Sequence, residues 1–180
     1  MEFVSFDIEG PILIKPRVFE DERGYFYETY NTRTFKDAGL ESEFVQDNQS
    51  LSKKSTLRGL HFQNPPFAQG KLIRVATGSV FDVIVDIRPS SVSYGKSLKI
   101  EISAANKYML WIPPGFAHGF LTLEDNTLFL YKCTALYNKQ SESGIIWNDI
   151  DLNIDWQIKN PLVSEKDLQL AEFKNCENKF

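Results

Sequence analysis

The stretch Lys71-Leu72-Ile73-Arg74-Val75-Ala76-Thr77-Gly78-Ser79-Val80-Phe81-Asp82-Val83-Ile84-Val85-Asp86-Ile87 decides the fold class. Its two apolar, β-branched runs, 71–76 and 80–87, flank residues with turn chemistry, which reads as two consecutive strands. At a period of two, Phe81, Val83, Val85 and Ile87 share one face and Asp82, Ile84 and Asp86 the other. Two acids on one face could bind a metal. With no histidine or third acid nearby, salt bridges or hydrogen bonds are the better reading. In the first run Lys71, Ile73 and Val75 share a face, so Lys71 either snorkels outward or is held beside an anion.

The same pattern continues outward from this hairpin. Strand signals cover 44–48, 56–63, 96–102, 108–112, 116–121 and 127–134, with turns at Asn64-Pro65-Pro66, Arg88-Pro89-Ser90, Ala105-Asn106 and Pro113-Pro114-Gly115. Strands at this spacing with no helical pattern between them predict an antiparallel sandwich or barrel. Upstream, 3–8, 12–14 and the aromatic run after Gly24 read as two or three short strands. A short helix follows, with Asn31 as its cap and Gly39 as its stop. Downstream, 138–144 reads as a loop, and Ser164 caps a short C-terminal helix.

The 180 residues fit one domain with one core. A formal net charge of -4, with no lysine or arginine block longer than a pair, speaks against a nucleic-acid surface. The acidic N-terminus lacks the basic and apolar regions of a signal peptide, and no window approaches the ~20 apolar residues of a membrane span. Cys133 and Cys176 have no metal spacing. A disulfide between them is conceivable but unsupported, and a reducing compartment fits better. The expectation is a soluble cytoplasmic protein with no membrane partner.

Candidate chemistry centres on Ser55-Thr56-Leu57-Arg58-Gly59-Leu60-His61-Phe62-Gln63, which puts a fixed cation close to one of only two histidines. A histidine can take and give a proton near neutrality, and an arginine fork suits phosphate or carboxylate. The competing reading is a hydrogen-bonded strand histidine and a solvated arginine. Strict alternation puts Arg58 and His61 on opposite faces unless Gly59 carries a bulge. His118, after a double-proline turn, reads first as a structural histidine bonding a backbone carbonyl. Two histidines cannot make a three-histidine metal site, and neither a hydrolase elbow nor a dinucleotide or phosphate loop occurs. His61, Lys71, Tyr131 and a set of acids remain. That equipment suits proton abstraction beside a carbonyl: an imidazole base, a cation for the enolate oxygen and an acid on the other face. Tyr131 could be that acid, made more acidic by a nearby ammonium, or a strand tyrosine half-buried for packing.

Several motifs occur in order: Arg23-Gly24-Tyr25-Phe26-Tyr27-Glu28, Val45-Gln46-Asp47-Asn48-Gln49-Ser50, Leu57-Arg58-Gly59-Leu60-His61-Phe62-Gln63, Gln69-Gly70-Lys71-Leu72 and Trp111-Ile112-Pro113-Pro114-Gly115-Phe116-Ala117-His118-Gly119-Phe120. Phe129-Leu130-Tyr131-Lys132, Ile146-Trp147-Asn148-Asp149 and Leu162-Val163-Ser164-Glu165-Lys166-Asp167 follow. Together they resemble the dTDP-4-dehydrorhamnose 3,5-epimerase family, over all but the first few and the last dozen residues. The resemblance implies an all-β, cupin-type jelly roll with short peripheral helices, no cofactor and no metal, a dTDP-sugar substrate, and a homodimer that exchanges N-terminal strands. It implies His61 as base, Asp167 as its dyad partner, Tyr131 as acid and Lys71 as the enolate-stabilising cation. Arg58, Gln46, Asn48 and His118 would meet the substrate, with Arg23, Phe26 and Glu28 reaching in from the partner. One departure is Leu136, where the family commonly has an aromatic that helps frame the nucleotide base. Relatives on this scaffold also perform single epimerisations or act on other nucleotide sugars, and a sugar-binding cupin without catalysis is the alternative from another class.

Overall fold

The computed structural model describes residues 1–40 and 43–180. Four short strands open the chain: β1 (Glu2–Ser5), β2 (Ile12–Lys15), β3 (Val18–Asp21) and β4 (Gly24–Tyr27). Helix α1 (Thr32–Asp37) follows, with the Asn31 side chain accepting from the Arg33 and Thr34 amides and Gly39 at φ +78 just past its end. Then come β5 (Gln46–Ser52), β6 (Thr56–Gln63), β7 (Lys71–Thr77), β8 (Ser79–Asp86), β9 (Ser97–Ser103), β10 (Met109–Ile112), β11 (Phe116–Thr122) and β12 (Thr127–Cys133). β13 (Glu142–Gly144), β14 (Leu162–Val163) and α2 (Glu165–Leu168), which Ser164 caps as expected, follow, and a 3-10 turn at Phe173–Asn175 is the last element. Three strands depart from the sequence reading, among them the two-residue β14, which forms by parallel pairing with β6. Val18–Asp21 forms because the aromatic strand β4 supplies its hydrogen-bonding partner, and Glu142–Gly144 forms because β6 offers an open edge.

One sheet runs β1-β2-β10-β7-β12-β5, the other β13-β6-β11-β8-β9 with β14 also on β6, and β3-β4 is a separate hairpin. Apart from the parallel β14–β6 contact, the pairings between strands are antiparallel. Ile73 and Val75 of β7, Leu110 of β10 and Phe129 of β12 pack against Ile84 of β8 and Phe120 of β11, making the interior between the sheets. Val83, Val85 and Ile87 instead face outward, under a layer that includes Leu152 and Trp156. The outer face of the first sheet is closed by Phe35 of α1 against Leu72, Met109 and Trp111. Both faces of β8 are therefore buried, which is why its sequence is nearly unbroken in apolar character. The faces divide as the period-two pattern predicts, with Asp82 and Asp86 turned to the interior.

Both acids are hydrogen-bonded rather than arranged for a metal. Asp86 receives Arg88 Nε at 2.9 Å and Nη2 at 2.7 Å, with the Ser91 and Ser93 hydroxyls at 2.6 Å each. Asp82 pairs with His118. Both cysteines are free thiols. Among the described residues no helix is long and apolar enough to cross a membrane.

Candidate active site

The bulge anticipated at Gly59 is present. Arg58 and His61 are three residues apart on β6, yet their partners on β11, Phe120 and His118, are two apart. The extra residue turns both side chains to one side. Glycine is required there: Gly59 lies at φ +110, and an added Cβ would sit 2.6 Å from the His118 carbonyl oxygen and 2.7 Å from Gly119 Cα.

Arg58 and His61 consequently line one cavity of about 380 Å³, together with Lys71, His118, Tyr131 and Asp167. A second cleft of about 320 Å³ shares Asn48, His61, Lys71 and Tyr131 with it and adds Gln46 and Glu142. His61 Nε2 lies 2.7 Å from Asp167 Oδ1, and the second carboxylate oxygen accepts from the Gly59 amide at 3.2 Å. Burial alone would raise the Asp167 pKa, but the His61 contact and the Gly59 bond outweigh it and hold the group ionised below its ordinary range. An ionised carboxylate accepts only, so it fixes the proton on Nε2 and leaves Nδ1 as the basic nitrogen. His61 itself is part-exposed, so that nitrogen is within reach of a ligand.

Tyr131 stands on β12, in the sheet opposite His61. Contrary to expectation its phenol is not made more acidic. Burial pushes its pKa up and the nearby Cys133 adds to this, while Arg58 opposes without prevailing. Lys71, on the inner face of β7, is part-buried and lines the cavity, with no ion pair among the described residues. Burial pushes its ammonium pKa down, against the fields of Cys133, Asp82 and Glu142. Arg58 sits exposed at the cavity mouth, its Nε and Nη2 each 3.2 Å from Ser52 Oγ.

His118 does not bond a backbone carbonyl, as its sequence context suggested. Its Nε2 lies 2.8 Å from Asp82 Oδ2, because β11 and β8 place the two side chains on the same inner face. Gln46 Nε2 donates to Asn48 Oδ1 at 3.0 Å, and Gln46 Oε1 accepts the Tyr137 amide at 2.8 Å. Leu136, beside that amide, is 60% exposed. Arg23, Phe26 and Glu28 do not line this cavity. Arg23 is at the hairpin turn bonded to Asp21, Phe26 is 71% exposed, and Glu28 accepts from Asn31. Sequence reasoning missed Glu142, which accepts Tyr137 Oη–H at 2.9 Å and pairs with Lys166 Nζ at 2.7 Å beside His61. Nothing in its polar loop context marked it.

The family profile described as dTDP-4-dehydrorhamnose 3,5-epimerase matches residues 5–175. The chain belongs to this family. The match extends further toward the C-terminus than the motifs had suggested. The dTDP-4-dehydrorhamnose 3,5-epimerase of Shigella flexneri is 48% identical over 178 residues, covering 98% of each chain. The crystal structure of the Elizabethkingia anophelis NUHP1 epimerase superposes with a TM-score of 0.93 at 47% identity over 97% of each chain. That of Legionella pneumophila Philadelphia 1, solved in complex with dTDP-4-keto-L-rhamnose, gives 0.93 at 40% identity over 97% of this chain and 93% of that one. The architecture is the cupin-type jelly roll of this epimerase family.

Proposed function

We propose that the chain epimerises dTDP-4-dehydro-6-deoxy-D-glucose at C3 and C5 to dTDP-4-dehydro-L-rhamnose. The observation that carries this reading is the placement of the His61–Asp167 dyad and Tyr131 on opposite sheets, facing one cavity that also holds Lys71. Both C3 and C5 flank the C4 ketone, so each can lose a proton to give an enolate. His61 Nδ1 takes the proton, the electron pair moves into a new C–C double bond, and the C4 oxygen gains the charge beside the Lys71 ammonium. Tyr131 Oη–H returns a proton to the other face, the ketone reforms, and solvent restores both groups. The same cycle at the second carbon completes the reaction. Its burial-raised pKa keeps Tyr131 in the protonated form from which it delivers that proton. No electrons are gained or lost overall, so the chemistry calls for no redox cofactor.

Arg58 at the mouth, with Gln46 and Asn48, meets the nucleotide diphosphate, and His118 meets the sugar. The working unit is a homodimer exchanging N-terminal strands, in which Arg23, Phe26 and Glu28 of the hairpin complete the neighbour's site. Exposure of Phe19, Tyr25 and Phe26 on that hairpin supports this assembly. The enzyme works in the cytoplasm, where its free thiols stay reduced.

Solvent-deuterium incorporation into dTDP-4-dehydro-6-deoxyglucose, followed by proton NMR, tests the proposal. Label at both C3 and C5 with inversion at both is expected. Label at one carbon would mean a single-site epimerase, and no label a sugar-binding protein without catalysis.

A further inference from the structure

Asp82 has no part in the scheme above and does not line the cavity itself, yet it lies directly behind His118, which does. It has no exposed surface, and of its two oxygens only Oδ2 is bonded, to His118. Oδ1 is buried with no hydrogen-bond partner among the described residues. A carboxylate between two sheets is costly to desolvate, and the neighbouring inner-face position of the same strand is filled by Ile84, packed in the core. Packing therefore does not account for an acid here.

What the acid does is define His118. That ring is 7% exposed and lies stacked against Phe129, with centroids 6.1 Å apart at 28°. Phe129 is itself stacked on Phe120 at 4.1 Å. With Nε2 committed to Asp82, the nitrogen left for the cavity is Nδ1. The carboxylate is acceptor-only, so Nε2 must carry the proton. Burial pushes the imidazolium pKa down, and the charges of Lys71 and His61 add to this against Asp82, which favours a neutral ring. Nδ1 then holds a lone pair. Lys71 and Arg58 bring only donors to the cavity, so His118 supplies an acceptor they cannot.

We infer that Asp82 is a positioning residue that holds His118 as the Nε2–H tautomer, so that Nδ1 accepts a hydrogen bond from a hydroxyl of the bound 4-keto sugar. The inference rests on the sugar-nucleotide reading of the site. Register partnership of His118 with His61 puts this acceptor beside the base, where it helps hold the sugar in the site.

Long-range proton–nitrogen NMR on protein labelled at histidine reads the tautomer without substrate. In the wild type Nε2 is expected to be the protonated nitrogen and Nδ1 the bare one. The opposite tautomer, or a doubly protonated ring at pH 7, would overturn the inference. In Asp82→Asn the amide can donate to Nε2 and drive the proton to Nδ1. KM should then rise roughly 10-fold to 100-fold with kcat changed far less, as expected for a hydrogen bond made alike in ground and transition states. The 2-deoxy or the 3-deoxy analogue of the substrate nucleotide should erase most of the difference in affinity between wild type and variant. A penalty that persists on both analogues, or an unchanged KM in a variant with inverted tautomer, would show that Asp82 does not act through His118 on a hydroxyl. Should the variant not fold, the wild-type tautomer and the weaker binding of one deoxy analogue to the wild type remain decisive. A wild type that epimerises no sugar would sink the functional reading instead, with the tautomer still legible.

Discussion

The backbone N–H of Gly59 donates to Asp167 Oδ2 across 3.2 Å, so one carboxylate holds both the bulge and, through Oδ1, the His61 ring. Loss of the bulge would therefore disturb the dyad as well as the strand. Gly59→Ala should cost about 3 kcal/mol or more, since it combines a left-handed backbone conformation with a backbone clash. Thermal unfolding gives the first quantity and residual proton exchange the second. An alanine variant with unchanged Tm and activity would show that the bulge has no such constraint.

His61→Ala should lower deuterium exchange at both carbons by about 10²-fold to 10⁴-fold with the circular dichroism spectrum intact. Exchange at the wild-type rate would remove His61 from the role of base.

Tyr131→Phe deletes only the hydroxyl. The enolate should still form at His61 and be reprotonated from the side it came from, so the variant should wash in deuterium while making little inverted sugar. One proton NMR experiment in heavy water reads both. Equal loss of exchange and inversion would place Tyr131 in binding. Because burial raises its pKa, any alkaline limb of the wild-type rate that belongs to Tyr131 should lie above pH 10.

The Asp86–Arg88 pair predicts acid sensitivity. Burial alone would raise the Asp86 pKa, but the Arg88 fork and the Ser91 and Ser93 hydroxyls hold it well below the ordinary 3.8. A depressed folded-state pKa means stability that is fully present above the unfolded value and is lost as pH falls below about 4. Arg88→Met should remove about 3–5 kcal/mol at pH 7, because Asp86 stays buried without its partner, and should make the acid limb shallower. Urea titrations at pH 7 and pH 3 measure both. A full-sized acid limb in the variant would assign that sensitivity to other carboxylates.

A shared site predicts complementation. Arg23→Ala and His61→Ala chains, each inactive alone, should regain part of the activity when mixed, because exchanged dimers contain one intact composite site. Sustained inactivity after mass spectrometry has demonstrated subunit exchange would count against the exchanged-strand dimer.

The sequence by itself determined the all-β architecture, the strand runs from Thr56 to Cys133, the caps at Asn31 and Ser164, and the split of β8 into an acidic and an apolar face. These features follow from local periodicity and turn chemistry, which need no knowledge of distant segments. Its motifs also marked His61, Lys71, Tyr131 and Asp167. Only the tertiary structure decided that Arg58 and His61 face the same way, since a bulge is a property of two paired strands and not of one. It gave His118 a carboxylate partner in place of a backbone carbonyl, and it drew Glu142 to the site by pairing β13 with the edge of β6. It also reversed the expected shift of Tyr131, because desolvation depends on what the opposite sheet and neighbouring strands exclude. The dyad shows the limit most plainly: His61 and Asp167 are 106 residues apart in the chain, and only packing of α2 against β6 brings them to 2.7 Å.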